Sequence, residues 1–525
     1  MAENMSLLNS KLDFYMDFSR MNYSSEDLKI VKDRIPSVHA EMQKIESGEI
    51  KNPDENRQVT HFTDRISYPK EQLFQDVIDF SEDIRSAKIK GSTGKKIEHV
   101  IINGIGGSAL GPQLMQFAIN GPYWNELSEE KRNGYPRIYF LDNTDSAGVS
   151  DVLYAIDLEK TLMVNISKSG GTQETKNNIF GIAEEYEKAG LEYAKHACCI
   201  TMEGSQLDEK AHAENWLKIF PMAESIGGRT SETSIVGHLP AALAGVDFAA
   251  FIQGAAEMDT WTREPNLEDN PAYMLAAMWY LAGDGKGNKN MVIVPYSDRL
   301  VLMSRYLQQL VMESLGKEKD LDGKTVHQGL NVFGNKGGTD AHAFIQQLND
   351  GRNDFFATFI EVLKDSKVIP ISDGITMGDY LHGFQVGLVN ALSSGNRQVI
   401  QIQLKEINAN SLGMLIALYE RAVAAYAELI NVNAFHQPGV QAYKLASNNV
   451  IQLILDLEVK LSEVAPWTGN AKELCDAVAL KADENEVCGI LSKFAENSDN
   501  RKFEGFSISR ISNENSRWIY KVEKV

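Results

Sequence analysis

In this 525-residue sequence the groups best suited to proton transfer and charge stabilisation are Glu313, Arg229, His342 and Lys444. The stretch SRYLQQLVMESLGK predicts a helix with Gly316 near its C-terminus, so Gln309 and Glu313, four apart, share one face. Val311, Met312 and Leu315 give Glu313 apolar neighbours, a setting that suits a general base. IGGRTSETSIVG places Arg229 beside two glycines just before a helix, where its fork of donors fits an oxyanion or a phosphate. NKGGTDAHAFIQQL predicts His342 in the first turn of a helix, behind a glycine turn and with Asp340 as a cap; histidine carries protons near neutral pH. NAFHQPGVQAYK starts a long helix after Pro438 and puts Lys444 near its beginning, two turns from Gln437. Each has an ordinary alternative: a solvated glutamate, an arginine paired with a surface carboxylate, a structural histidine, a surface lysine. Taken singly, none of these motifs chooses between the two.

Two other segments suit an anion. In LMVNISKSGGTQET a hydroxyl- and glycine-rich turn joins a buried strand to a helix. Ser167, Ser169 and Thr172 offer hydroxyls, Gly170 and Gly171 allow close backbone approach, and the helix N-terminus adds free amides. An N-cap with a tight turn is the plainer account. INGIGGSALGPQ sets a second glycine-rich loop, with Ser108, at a strand's carboxyl end. Gly104, Gly106 and Ala109 match the dinucleotide fingerprint and raise an NAD-dependent dehydrogenase as the rival. Against it, the next strand ends in Asp142, well beyond the ~20-residue spacing of that motif. Gly107 with Ser108 also suits a small polar ligand better than a pyrophosphate. No pair among the 10 histidines has the spacing of a metal-binding helix, so no metal is predicted, and no Ser-His-Asp set or P-loop competes.

The elements that must position these groups point to an α/β protein. Residues 1–95 are polar and helix-like, broken at Pro36, Pro53 and Pro69, and predict an N-terminal helical arm. From His99, short β-branched runs (HVIING, PRIYFLD, TLMVNIS, HACCITM) alternate with turns and helical patterns, as in a parallel sheet. After a helical stretch around 238–285 the alternation restarts with NMVIVPY, DFFATFIEVL and RQVIQIQL. Two α/β domains, 96–250 and 251–465, follow, the second ending in long helices broken at Asn433 to Pro438. PWTGN then breaks the chain. Residues 466–525 run helix, helix and two strands, the order of a winged helix. The second of those helices, ENEVCGILSKFAE, is acidic at its start with one lysine, Lys493, and its Val487, Ile490, Leu491 and Phe494 recur as a core face, which argues against DNA reading.

With 43% hydrophobic and 24% charged residues the composition is that of a globular protein. A net charge of −20 argues against nucleic acid or an anionic membrane as main partner, while leaving room for one phosphate in a local pocket. Four cysteines make neither a disulfide scaffold nor a zinc site and suggest a reducing compartment. The N-terminus lacks the pattern of a signal peptide and no apolar run is long enough to span a bilayer, so a cytoplasmic location is the default expectation.

In order, GIGGSALG, SKSGGTQET, GGRTSETSIVG, MESLGK, GGTDAHAFIQQL and FHQPGVQAYK resemble the glucose-6-phosphate isomerase family, and GGRTSE and FHQPGV are similar to its cyanobacterial and plastid form. The resemblance covers about residues 100–445. It implies two sugar-isomerase (SIS) domains, each an αβα sandwich, in a homodimer with active sites at the subunit contact. It places Ser108 in the GGS loop and Ser167, Ser169 and Thr172 in the phosphate loop. Gln309, Glu313, Arg229, His342, Gln437 and Lys444 fall at catalytic or substrate-contact positions, with His342 reaching the partner subunit's site. The implied reaction interconverts glucose 6-phosphate and fructose 6-phosphate through a cis-enediol, in glycolysis and gluconeogenesis, with neither metal nor organic cofactor. His342 and Lys444 assist ring opening, Glu313 moves the proton and Arg229 stabilises the developing oxyanion. His436 stands where many members carry aspartate, Gly170-Gly171 replaces bulkier residues, and the tail after Val464 lies outside the family pattern. A non-enzymatic SIS regulator that binds DNA through the tail is the second rival, and dual glucose and mannose specificity is open.

Overall fold

The computed structural model describes residues 5–514 and 517–525. They divide into two compact units, one ending at His436 and one starting at Gln437. The first unit is built on two sheets. One has five parallel strands in the order Arg137–Leu141, His99–Asn103, Thr161–Ile166, Ala197–Thr201, Lys218–Pro221. Its three inner strands are buried at every residue, which is why the sequence shows continuous apolar runs there and no alternation. Lys218–Pro221 is a short edge strand ending in proline, a combination that carries little strand signal.

The other sheet has six strands. Gln398–Leu404, Phe355–Val362, Asn290–Tyr296 and Val332–Phe333 run parallel in that order. The remaining two come from the start of the chain: Ser6–Asn9 and Phe14–Asp17 form a hairpin whose second strand pairs antiparallel with Gln398–Leu404, Phe14 opposite Leu404 and Met16 opposite Ile402. Phe14 and Met16 are fully buried. The N-terminal segment is therefore helical only from Ser19–Met21 and Ser25–Lys32 onward; its first elements are strands.

In one core with residues of both sheets lie the helices of the 238–285 region and Ala409–Leu429, which is buried on nearly every side. Charge is buried there as well. Asp259 accepts from Arg65 at 2.8 Å, from Arg421 at 2.7 Å and from Arg263 at 2.6 Å, and Arg65 also meets Glu420. Each charge has an opposite partner, without which burial would cost several kcal/mol. The network ties the helix His61–Ser67 to the central helices.

In the second unit the helix Pro438–Val464 is followed by helices Ala471–Ala477 and Glu484–Glu496 and the hairpin Phe506–Glu514 with Arg517–Lys524. That is the predicted element order, with one addition: Trp467–Gly469, within the PWTGN break, pairs as a third strand. Val487, Ile490, Leu491 and Phe494 are buried in the core of this unit. Among the described residues of the whole chain no helix is long and apolar enough to cross a membrane.

Candidate active site

The helix Met303–Leu307 widens at Gln308–Glu313 into a π-helix, whose hydrogen bonds span five residues where those of the predicted α-helix span four. Gln309 and Glu313 still meet: Gln309 Nε2 donates to Glu313 Oε2 at 3.1 Å. Arg229 Nη1 donates to the other carboxylate oxygen, and its Nη2 donates to the carbonyls of Ala434 (2.8 Å) and His436 (3.1 Å). The guanidinium is thus a fixed fork spanning three partners, 7% exposed, while Glu313 keeps 22% of its side chain open. Burial pushes the Arg229 pKa down from its ordinary value and Glu313 opposes that shift. Lys317, at the end of the same motif, donates to the carbonyls of Glu313 (2.8 Å) and Ser314 (2.7 Å).

The GGS loop closes on this group. Gly106 adopts φ +57°, and a Cβ there would stand 3.0 Å from Gln309 Nε2. A Cβ on Gly107 would collide with the Gly228 carbonyl, next to Arg229. These glycines exist for close approach to Gln309 and the arginine turn, so the space where the second fingerprint glycine admits a pyrophosphate is already occupied. Ser108 lies in the first turn of the helix Gly107–Asn120, half-buried.

The strand Thr161–Ile166, neighbour of His99–Asn103, ends in the other loop. Ser167 is buried and its Oγ donates to Thr172 Oγ1 at 3.1 Å; Ser169 is exposed and its Oγ accepts from Gly171 N at 3.2 Å. Gly170 has φ +66° and packs on the Leu207 backbone. The helix Gln173–Lys188 follows with Thr172 at its N-cap and no side-chain cap bond, which leaves amides and hydroxyls at the positive end of a helix. Both loops lie at the carboxyl ends of adjacent parallel strands, where α/β proteins bind ligands. The structure adds two groups the sequence reading passed over: Thr175 Oγ1, buried with no hydrogen-bond partner among the described residues, and Lys168, whose Nζ donates to Glu224 O at 2.7 Å. Their signal was positional, since both stand inside the quoted loop motif.

His342 is not brought to this cluster. It is exposed in the 3-10 turn Asp340–His342, and its ring makes no hydrogen bond among the described residues. The predicted cap is corrected too: Asp340 is buried and accepts from Asn335 N at 2.9 Å, bracing the preceding loop, while the helix begins later, at Ile345–Asp350. Gln437 and Lys444 belong to the second unit, Gln437 directly before Pro438–Val464 and Lys444 exposed on that helix.

The solved structures define the class. The chain matches a glucose-6-phosphate isomerase from Chlamydia trachomatis at TM-score 0.76 and 26% identity, over 86% of this chain and 90% of that one. It matches a hypothetical protein from Thermus thermophilus at TM-score 0.71 and 25% identity, over 83% and 99%. The architecture is that of a sugar-phosphate isomerase with two mostly parallel α/β sheets. The family model described as phosphoglucose isomerase matches residues 17–382 and 386–466. The glucose-6-phosphate isomerase of Trichormus variabilis is 46% identical over 463 residues, 86% of this chain and 85% of its own, and that of Citrifermentans bemidjiense is 42% identical over 510 residues, 95% and 94%. The chain belongs to the phosphoglucose isomerase family.

Proposed function

We propose that the chain interconverts glucose 6-phosphate and fructose 6-phosphate, a step of glycolysis and gluconeogenesis in the cytoplasm, with Glu313 as the base. The observation that carries this is the convergence of Glu313, Gln309 and Arg229 under the GGS loop of a family member. In open-chain glucose 6-phosphate, Glu313 takes the proton from C2. The C2–H electron pair forms the C1–C2 double bond and the carbonyl pair moves onto O1, which picks up a proton to give the cis-enediol. Returning the proton to C1 while the C2 hydroxyl loses its own gives the ketose. Arg229 faces the oxygen on which charge develops, a contribution worth ~10²–10³ in rate in comparable sites. Ser167, Ser169 and Thr172, with Ser108 nearby, hold the phosphate so that C1 and C2 rest against the carboxylate. Gln437 contacts substrate, and Lys444 with His342 moves protons during ring opening. The balance closes with side chains alone and requires no cofactor. A coupled assay should show fructose 6-phosphate formed from glucose 6-phosphate, with mannose 6-phosphate run alongside to set specificity. A nicotinamide absorbance change from sugar phosphate and NAD alone would favour a dehydrogenase, and no turnover with either aldose would overturn the reading.

The working unit in this proposal is a homodimer in which His342 serves the partner's site. Its ring, exposed and without a hydrogen bond among the described residues, supports this. So do the exposed apolar side chains of Val368, Ile371, Met377, Tyr380 and Phe384, close together in sequence. Mixing inactive His342→Ala with inactive Glu313→Gln subunits under exchange conditions should restore part of the activity, because one of the two sites in a heterodimer is then intact. Heterodimers that form but stay inactive would place the whole site within one chain.

A further inference from the structure

We propose that Lys317 is a positioning residue for Glu313: its amine grips the two carbonyls at the end of the helix and so fixes where the carboxylate points. The inference rests on the reading of Glu313 as base. Nζ lies 2.8 Å from Glu313 O and 2.7 Å from Ser314 O, so one side chain holds the backbone of the base itself. A π-helix spends its hydrogen bonds less evenly than an α-helix, and the carbonyls of a last turn lack helical donors. A lysine bonded to them also meets the negative end of the helix dipole.

The placement is costly, which argues for a task. Lys317 is 5% exposed and, among the described residues, makes no ion pair. The nearest carboxylate, Glu313, is already taken by Arg229 and Gln309. Burial, aided by the Arg229 charge and opposed by Glu313, pushes the Lys317 amine down to about 7. The chain turns directly into the strand Lys317–Lys319, whose next two residues are exposed, so a lysine here had solvent within reach and is held inside instead. A surface lysine serving solubility would not be kept in that state.

The test is a double-mutant cycle on kcat. Lys317→Met should lower kcat about tenfold or more with KM for fructose 6-phosphate changed less than about threefold, since substrate contacts remain and only the alignment of the base is lost. In a Glu313→Asp background, where the carboxylate is already displaced, the same change should cost less than about threefold. Equal losses in the two backgrounds, a loss confined to KM, or an unchanged kcat would overturn the proposal. Circular dichroism verifies the fold; if the methionine variant does not accumulate, Lys317→Gln carries the same comparison. Turnover of Glu313→Gln alone decides the underlying reading separately, because parental activity there removes the base whatever Lys317 does.

Discussion

Glu313→Gln loses ~10²–10⁴ in kcat, the loss expected for removing a general base, while affinity for a non-reacting phosphorylated sugar acid stays near that of the parent. The amide is nearly isosteric and keeps one oxygen to accept from Arg229 or Gln309, so the packing around it survives. What it cannot do is accept a proton from carbon. The loop proposed to hold the phosphate is built from a different strand and helix and should not sense the change. Single-turnover measurements with both sugar phosphates check this, and near-parental turnover with unchanged binding would remove Glu313 from the chemistry.

Arg229→Lys should be almost as damaging, ~10²–10³ in kcat, although it preserves the charge. The guanidinium reaches Glu313 with one nitrogen while another holds the carbonyls of Ala434 and His436. An ammonium is a compact point donor and cannot span those directions together. Lysine must therefore either abandon the base or leave buried carbonyls without a donor, and the second choice costs ~1–3 kcal/mol of stability per orphaned group. Thermal unfolding and kcat measured on the same preparation separate the two. A lysine variant within about tenfold of parental kcat would mean that charge alone suffices and the fork is incidental.

What could be read from the sequence follows from how locally each feature is encoded. The inner strands of the five-stranded sheet announce themselves as unbroken apolar runs because both faces are covered. Gln309 and Glu313 were legible as a pair because a spacing of four keeps them on one face whether the turn is α or π, while the widening itself, a change in hydrogen-bond register, leaves no compositional mark. SLLN and FYMD are four residues each, and although they pair with each other, only FYMD joins them to the sheet, through a strand near residue 400, so their local pattern is too short to mark them as sheet. Arg229 carried the ordinary expectation of a surface carboxylate; its true partner is a carboxylate from another element, which only tertiary packing supplies. Lys317 closes a quoted motif yet reads as an unremarkable lysine, since nothing in spacing reveals that its amine turns back onto its own helix.

The hairpin at the start of the chain has a consequence for synthesis. Asp17 and Gln401, which it brings into hydrogen-bond contact, are 384 positions apart. At ~5–20 residues per second, the N-terminal strand leaves the ribosome tens of seconds before its neighbour exists. The five-stranded sheet, complete by Pro221, can assemble in that interval, but the six-stranded sheet cannot close until Gln398–Leu404 emerges. Until then the hairpin has no strand to pair with, and afterwards the flank of Gln398–Leu404 is an open edge, a template for aggregation, for as long as the hairpin has not docked. A nascent chain of this enzyme thus commits the hairpin of residues 6–17 almost last, and a deletion within that hairpin acts on the yield of the final sheet and not on the chemistry of the finished site.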